Sequence, residues 1–405
     1  MEFEHDEKTV ALSAEVLDFV RNHVVPAEPV LDEQSNRADD PLRFEAPIKD
    51  DLMKEARKRG LWNLFLPDKK WGAGLTNVQY APIAEISGWS PDLAPEAMNC
   101  SAPDTGNMEL LAMFGTPEQQ DQWLVPMLDG EIRSCFSMTE PAVASSDASN
   151  IQTRIECVGN QYIINGRKWW SSAALRPKCE LLVVMGVSNP EGDRYHRHSM
   201  ILVPRNAPGV TIVRSTSVFG YHHGTNGGHA EILYEDVRVP VNHLLGEEGG
   251  GFGIAQARLG PGRIHHCMRL LGQAERALEL MCRRVQERVA FGKRIAEQGV
   301  VQNWIAESRI ELEQARLLVL KTAWLMDTVG NSGARTEISA IKVIVPNVVQ
   351  QVIDRAIQAF GAAGVSEDVP LARFYTDARY LRIGDGPDEV HKMSVARREL
   401  RKYES

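Results

Sequence analysis

Apolar residues change their spacing twice along this chain of 405 residues, and that change limits what the chain can fold into. From residue 8 to about 130 they recur every three or four positions, as at Val10, Leu12, Val16, Leu17 and Val20. This period places them on one face of a helix. Gly60-Leu61-Trp62, Pro67-Asp68, Gly72 and Gly74 break the pattern, and a helix pair is expected over 76–90 and 107–129. Between about 131 and 245 the pattern shortens to runs such as Tyr162-Ile163-Ile164, Leu181 to Met185, Ser199 to Val203 and Val210 to Val213. Asn165-Gly166, Asn189-Pro190 and Pro208-Gly209 separate them, and Asn-Gly between such runs signals a tight turn. From about 252 to 400 long helical periods return, first through Ile264, Met268, Leu271, Ala274, Leu278, Met281 and Val285. A second helix is expected over 299–329 and a third over 336–359, where Pro346 is expected to kink or interrupt it. The reading is an α+β chain in three parts. These are an all-α N-terminal domain (1–130), a middle antiparallel β-barrel or sandwich (131–245), and a C-terminal four-helix bundle (246–405).

Composition narrows the function. The net charge of -9 disfavours nucleic acid and anionic lipid as partners. The basic stretch Arg397 to Lys402 reads as a solvated helix end. Six cysteines, at 100, 135, 157, 179, 267 and 282, form no C-x-x-C pair and suit reduced thiols in an intracellular protein. The acidic start, Met1 to Glu7, resembles neither a signal peptide nor a presequence, and no apolar run reaches membrane-spanning length. A cytoplasmic location without a membrane span is therefore expected. His222, His223 and His229, like His265-His266, lack the spacing and companion ligands of a zinc site, so no metal is expected. Gly249 to Gly253 lacks the lysine of a phosphate loop and reads as a flexible entry to the bundle.

Four segments, in order, resemble the acyl-CoA dehydrogenase family. They are Gly60-Leu61-Trp62 with Pro67, Phe136-Ser137-Met138-Thr139-Glu140-Pro141 running to Ser146-Asp147, Asn165 to Ser172, and Arg288-Val289-Ala290-Phe291-Gly292-Lys293. Gln358-Ala359-Phe360-Gly361-Ala362-Ala363-Gly364 adds a fifth. Leu259 to Arg263 and Gly384 to His391 resemble a subgroup that includes the dehydrogenase portion of eukaryotic proteins fused to a kinase-like domain. This chain leaves no room for that domain.

The resemblance implies an FAD site. Phe136, Met138 and Thr139 would meet the isoalloxazine through backbone donors and the Thr139 hydroxyl, where reduced flavin gathers negative charge. Trp170 would cover the ring, and Ser172 stands where the family usually has threonine. Because strand residues alternate, one of Trp169 and Trp170 is expected to face the flavin. Arg288 would reach the pyrophosphate, commonly across a subunit interface, with Phe291 beside it. Gln358 and Gly361 would meet the pyrophosphate from the neighbouring subunit, and Ala362 replaces a second family glycine. Ser146 would touch both the cofactor and the CoA arm, and Glu389 would join the cofactor contacts.

The same resemblance supplies the chemistry. Removing an α-proton from a thioester needs a carboxylate beside Cα and donors at the carbonyl. Asp385 occupies the position of the family's base, which is often glutamate, with Gly386 beside it and Arg263 near the substrate entrance. The implied reaction turns a fatty acyl-CoA into its trans-2-enoyl-CoA, as in β-oxidation, with electrons passed to an electron-transfer flavoprotein by a homodimer or homotetramer. The alternatives are an oxygen-using oxidase of the acyl-CoA or nitroalkane type, the latter also with an aspartate base, and a redox-silent acyl-CoA-binding protein. Chain length, branching and hydroxylation of the acyl group are not legible.

Overall fold

The computed structural model describes residues 4–222 and 226–404. Contacts divide the chain into two compact units. One comprises Met1–Pro26, Leu75–Pro95 and Gly262–Ser405, and the other Ala27–Gly74 and Glu96–Pro261.

The second unit is built on a sheet of eight strands. They are β1 (Arg133–Ser137), β2 (Arg154–Val158), β3 (Gln161–Ser172), β4 (Cys179–Val187), β5 (His198–Pro204), β6 (Val210–Thr216), β7 (His229–Pro240) and β8 (Leu244–Leu245). The order is β6-β7-β3-β2-β4-β5-β8, with β1 on β4. Both β1 and β2 run parallel to β4, while the other pairs are antiparallel. The expected antiparallel barrel is thus corrected to a mixed, open sheet. A parallel pair needs a long crossover, and the segment between β1 and β4, which holds the β2–β3 hairpin, supplies it. Cys135, Ile155, Ile164, Leu182, Ile201, Ile232 and Tyr234 form the buried core of this sheet.

Asn165-Gly166 is not a turn. It lies inside β3, whose hairpin with β2 turns at Gly159-Asn160. A Cβ at Gly166 would stand 2.4 Å from Thr153 Oγ1, so the glycine serves close packing at a bulge in the β3–β7 ladder.

The first unit is helical. It holds Glu7–Phe19, Asn77–Ser87, most of Gly251–Glu287, then Gly299–Gly333, Arg335–Phe360, Leu371–Tyr380 and Asp388–Leu400. Gly330 leaves helical geometry (φ 72°, ψ 173°), close to the expected end of its helix. The expected break at Pro346 does not occur. The helix Arg335–Phe360 continues through it, because its face of Ile338, Ile341, Val345, Val349, Val352 and Ile353 stays buried on both sides of the proline. Two helices of this unit meet backbone to backbone. A Cβ on Gly272 would lie 1.7 Å from Glu85 O, and one on Gly88 1.9 Å from Arg269 O. That contact anchors the helix bearing Arg263 and His266.

Candidate active site: a clamped aspartate loop and the end of a mixed sheet

In the helical unit, Gly384 to Pro387 joins the helices Leu371–Tyr380 and Asp388–Leu400. Asp385 sits in the left-handed region (φ 56°), followed by Gly386 at φ 107°. Such backbone persists only where its surroundings enforce it, and here they do. Arg263 Nε donates to the Asp385 carbonyl at 3.1 Å, and His391 Nε2 lies 3.3 Å from the same oxygen. Burial pushes His391 down to about 4, reinforced by Arg263 and Lys342, so its ring is neutral near pH 7 and can donate from Nε2. Lys342 donates to Leu381 O and, at 3.4 Å, to Gly386 O. Burial lowers its own pKa against the pull of Cys267 and Asp385. A Cβ at Gly386 would stand 2.8 Å from His391 Nε2, so glycine lets the loop close on that ring.

The Asp385 side chain keeps 22% of its surface, and its Oδ2 lies 3.4 Å from His266 Nε2. The other acids of the segment differ. Asp388, 3% exposed, accepts from Arg382 Nε at 2.9 Å and Asn347 Nδ2 at 3.0 Å. Glu389 is exposed at the start of its helix. Arg263 lies beside the acidic loop, and burial lowers its pKa against the pull of Asp385.

In the sheet unit, Phe136 lies in β1, while Met138 and Thr139 follow its end. Arg258 stacks over the Phe136 ring at 4.1 Å. The Thr139 hydroxyl donates to Trp169 O at 2.6 Å, and Trp169 N donates to Thr139 O at 3.0 Å. The hydroxyl proton expected to serve a cofactor is thus directed at Trp169 O here. Strict alternation fails at the tryptophan pair. The β3–β7 register shifts between Lys168 and Ser171, Trp170 adopts φ 53°, and both rings are half-buried 6.2 Å apart. Trp170 also leans on His229 at 5.3 Å, and Ser172 Oγ meets His229 Nδ1 at 2.8 Å. Ser146 is exposed in a turn.

One pair here escaped the sequence reading. Lys168, wholly buried, donates to Met138 O at 2.7 Å and Glu140 Oε1 at 2.8 Å. Glu140 also accepts from Gln152 N, Thr153 N and Thr153 Oγ1. Burial pulls Lys168 down to about 8 against the attraction of Glu140. The available signal was a lysine one position before the tryptophan pair in an otherwise inward-facing run.

The remaining predicted residues lie on the helical unit's surface. Arg288 precedes, and Phe291 lies within, a two-stranded hairpin of β9 (Val289–Ala290) and β10 (Lys293–Arg294). Its turn, Phe291-Gly292, has positive φ at both residues, and Phe291 is fully exposed. Gln358 is exposed near the end of its helix, and Gly361 caps that helix at φ 67° with open space where a Cβ would point. Among the described residues no group of three possible metal ligands occurs, and His223 lies outside them. Taken by themselves, the half-buried indole in the sheet unit is of a kind that suits a flat flavin ring, and the exposed guanidinium and open glycine in the helical unit are of a kind that suits phosphates.

Family models for the N-terminal, middle and C-terminal domains of acyl-CoA dehydrogenases match residues 6–131, 135–237 and 249–400. The chain belongs to the acyl-CoA dehydrogenase family. It is 57% identical, over 100% of its length and 98% of the relative's, to a Mycobacterium tuberculosis protein named Probable acyl-CoA dehydrogenase FadE2. It is 52% identical to human acyl-CoA dehydrogenase family member 11 over 95% of this chain, which spans 49% of that relative. A Mycobacterium abscessus structure assigned to the acyl-CoA dehydrogenases superposes with a TM-score of 0.96 at 48% identity, covering 99% of this chain and 100% of that one. Butyryl-CoA dehydrogenase from Megasphaera elsdenii gives 0.84 at 26% identity over 99% and 100%. Among the described residues no helix is long and apolar enough to cross a membrane.

Proposed function

We propose that this chain is an FAD-dependent dehydrogenase that converts a fatty acyl-CoA to its trans-2-enoyl-CoA. Its electrons would pass to an electron-transfer flavoprotein. The observation that carries the reading is the Asp385 loop. Of the acids at 385, 388 and 389, Asp388 is committed to Arg382 and Asn347, and Glu389 stands at a solvated helix start. Asp385 alone combines a partly exposed carboxylate with a backbone held by Arg263 and His391.

In this reading Asp385 accepts the α-proton, and its neighbours fix where the carboxylate waits. Proton transfer is sensitive to distance at the ångström level, so a short aspartate arm needs such a fixed loop. FAD, when bound, supplies the acceptor for the β-hydride. Phe136, Met138, Thr139, Trp170 and Ser172 would hold its ring side, and Arg288, Phe291, Gln358 and Gly361 its phosphate side, with Ser146 and Glu389 as further cofactor contacts. Ser146, Arg263 and Gly386 would meet the thioester. The exposed Phe291 and Arg288 favour a homo-oligomer in which these residues serve a partner's cofactor. The functional segments in this reading are 1–130, 131–245 and 246–405.

Anaerobic mixing of the FAD-loaded protein with straight-chain, branched and hydroxylated acyl-CoA thioesters tests it. Bleaching of the flavin by at least one, with slow reoxidation by oxygen, is expected. Fast reoxidation would mark an oxidase, and a flavin-free protein that binds thioesters would overturn the reading.

A further inference from the structure

We propose that His266 is the positioning residue for Asp385: its Nε2–H holds the short carboxylate at the place from which it acts. This rests on Asp385 being the base.

A guanidinium has donors and no acceptor. Arg269 Nη2 lies 3.4 Å from His266 Nδ1, so Nδ1 is the accepting nitrogen and a neutral ring carries its proton on Nε2. Nε2 is the atom that faces Asp385 Oδ2, at 3.4 Å. The distance is long for a hydrogen bond, as catalytic contacts often are before substrate closes on them.

The helix supplies the placement. Gly262 and His266 are four residues apart and share a face. A Cβ at Gly262 would come within 3.8 Å of Asp385 Oδ2, so glycine leaves the carboxylate beside the helix and His266, one turn on, reaches its oxygen. Further along the helix, the Gly272–Glu85 and Gly88–Arg269 contacts hold it close against its neighbour.

The other groups near Asp385 have contacts of their own. Arg263 and His391 meet its carbonyl, Lys342 meets the carbonyls of Leu381 and Gly386, Asp388 is held by Arg382 and Asn347, and Cys267 is a buried thiol pushed up to about 12 by burial. Arg263, His391 and Lys342 fix the backbone of the loop, and His266 meets the Asp385 side chain. A glutamate would gain reach from an extra methylene. The aspartate gains it from a partner that turns the carboxylate.

Two measurements on the FAD-loaded full chain test this. The first is anaerobic flavin reduction by whichever acyl-CoA of the panel bleaches the wild type, followed across pH. His266→Ala is expected to slow the reduction step roughly 10- to 100-fold at saturating thioester, with little change in half-saturation. The acid limb of its pH profile should move upward, since a donor to the ionised carboxylate is lost while Arg263, Lys342, His391, Cys267 and Asp388 remain. His266→Gln, which keeps a donor at similar reach, should recover most of the rate. Wild-type rate and profile in His266→Ala, beside an inactive Asp385→Asn, would overturn the proposal and leave the base intact. An active Asp385→Asn would instead overturn the base.

The second readout does not depend on turnover or on the alanine variant folding. Long-range nitrogen NMR of histidine-labelled holoenzyme should show an Nε2–H ring at His266 whose signal shifts in Asp385→Asn. An Nδ1–H ring, or no response to Asp385→Asn, would overturn the contact.

Discussion

Arg263 donates from Nε to the main-chain carbonyl of Asp385, 3.1 Å away. The Asp385 loop is therefore held through its backbone, at the residue whose φ of 56° most needs support. Removing that donor should loosen the loop before it affects anything else. Arg263→Gln is expected to raise hydrogen exchange at the amides of 384–386 and to slow flavin reduction about tenfold or more. Unchanged exchange with weaker thioester binding would mean that Arg263 serves the substrate alone.

The neighbouring acids give a contrast. Glu389→Gln removes one of the proposed cofactor contacts and is expected to show in FAD retention, while the FAD-loaded variant keeps reduction rates within about twofold of wild type. Asp388→Asn removes a buried charge from Arg382 and should lower stability by about 1–3 kcal/mol. Calorimetry and rapid mixing on the two variants separate these outcomes. Loss of reduction in Glu389→Gln with normal FAD content would move the base away from Asp385.

Trp170 leans on His229 from a left-handed bulge in β3. If its ring covers the flavin, Trp170→Ala should weaken FAD retention by about 1–3 kcal/mol of lost burial. Trp170→Phe should retain most of it. Equal retention in dialysis by wild type and Trp170→Ala would assign the tryptophan to packing.

Glu109 is buried beside Arg258, and burial pushes its carboxyl up to about 8 in spite of that arginine. Its folded pKa exceeds the ordinary carboxylate value near 4.3, so the unfolded chain ionises first as pH rises. Stability from this group is complete below about pH 4 and is lost as pH climbs through about 8. Glu109→Gln should therefore stabilise the protein at pH 8 and do little at pH 4. Denaturant titrations at the two values check the sign, and equal effects at both would contradict it.

Much of the fold could be read from spacing, because apolar period reports which face of an element is buried. Pairing could not. The parallel placement of β1 on β4 depends on a crossover that carries no local signal, and Asn165-Gly166 has a turn's composition while serving close approach to Thr153. For the candidate site, Asp385, Arg263 and Trp170 are named by resemblance to the family. Lys168 and Glu140 were not, since a buried ion pair between a loop and a strand is set by tertiary packing. His266 was visible only as half of a histidine pair. Which of the two rings faces a carboxylate depends on helix rotation: His265 packs edge-on against Tyr80, and burial pushes it down to about 3.

The most direct test of the account is anaerobic rapid mixing of FAD-loaded wild type and Asp385→Asn with the thioester that bleaches the wild type best. The variant keeps the shape of the base and removes its charge. It should bind FAD and thioester as the wild type does while its flavin reduction falls by about three powers of ten or more, some 4 kcal/mol of barrier. Reduction within about tenfold of wild type would contradict the assignment of Asp385 and the mechanism built on it.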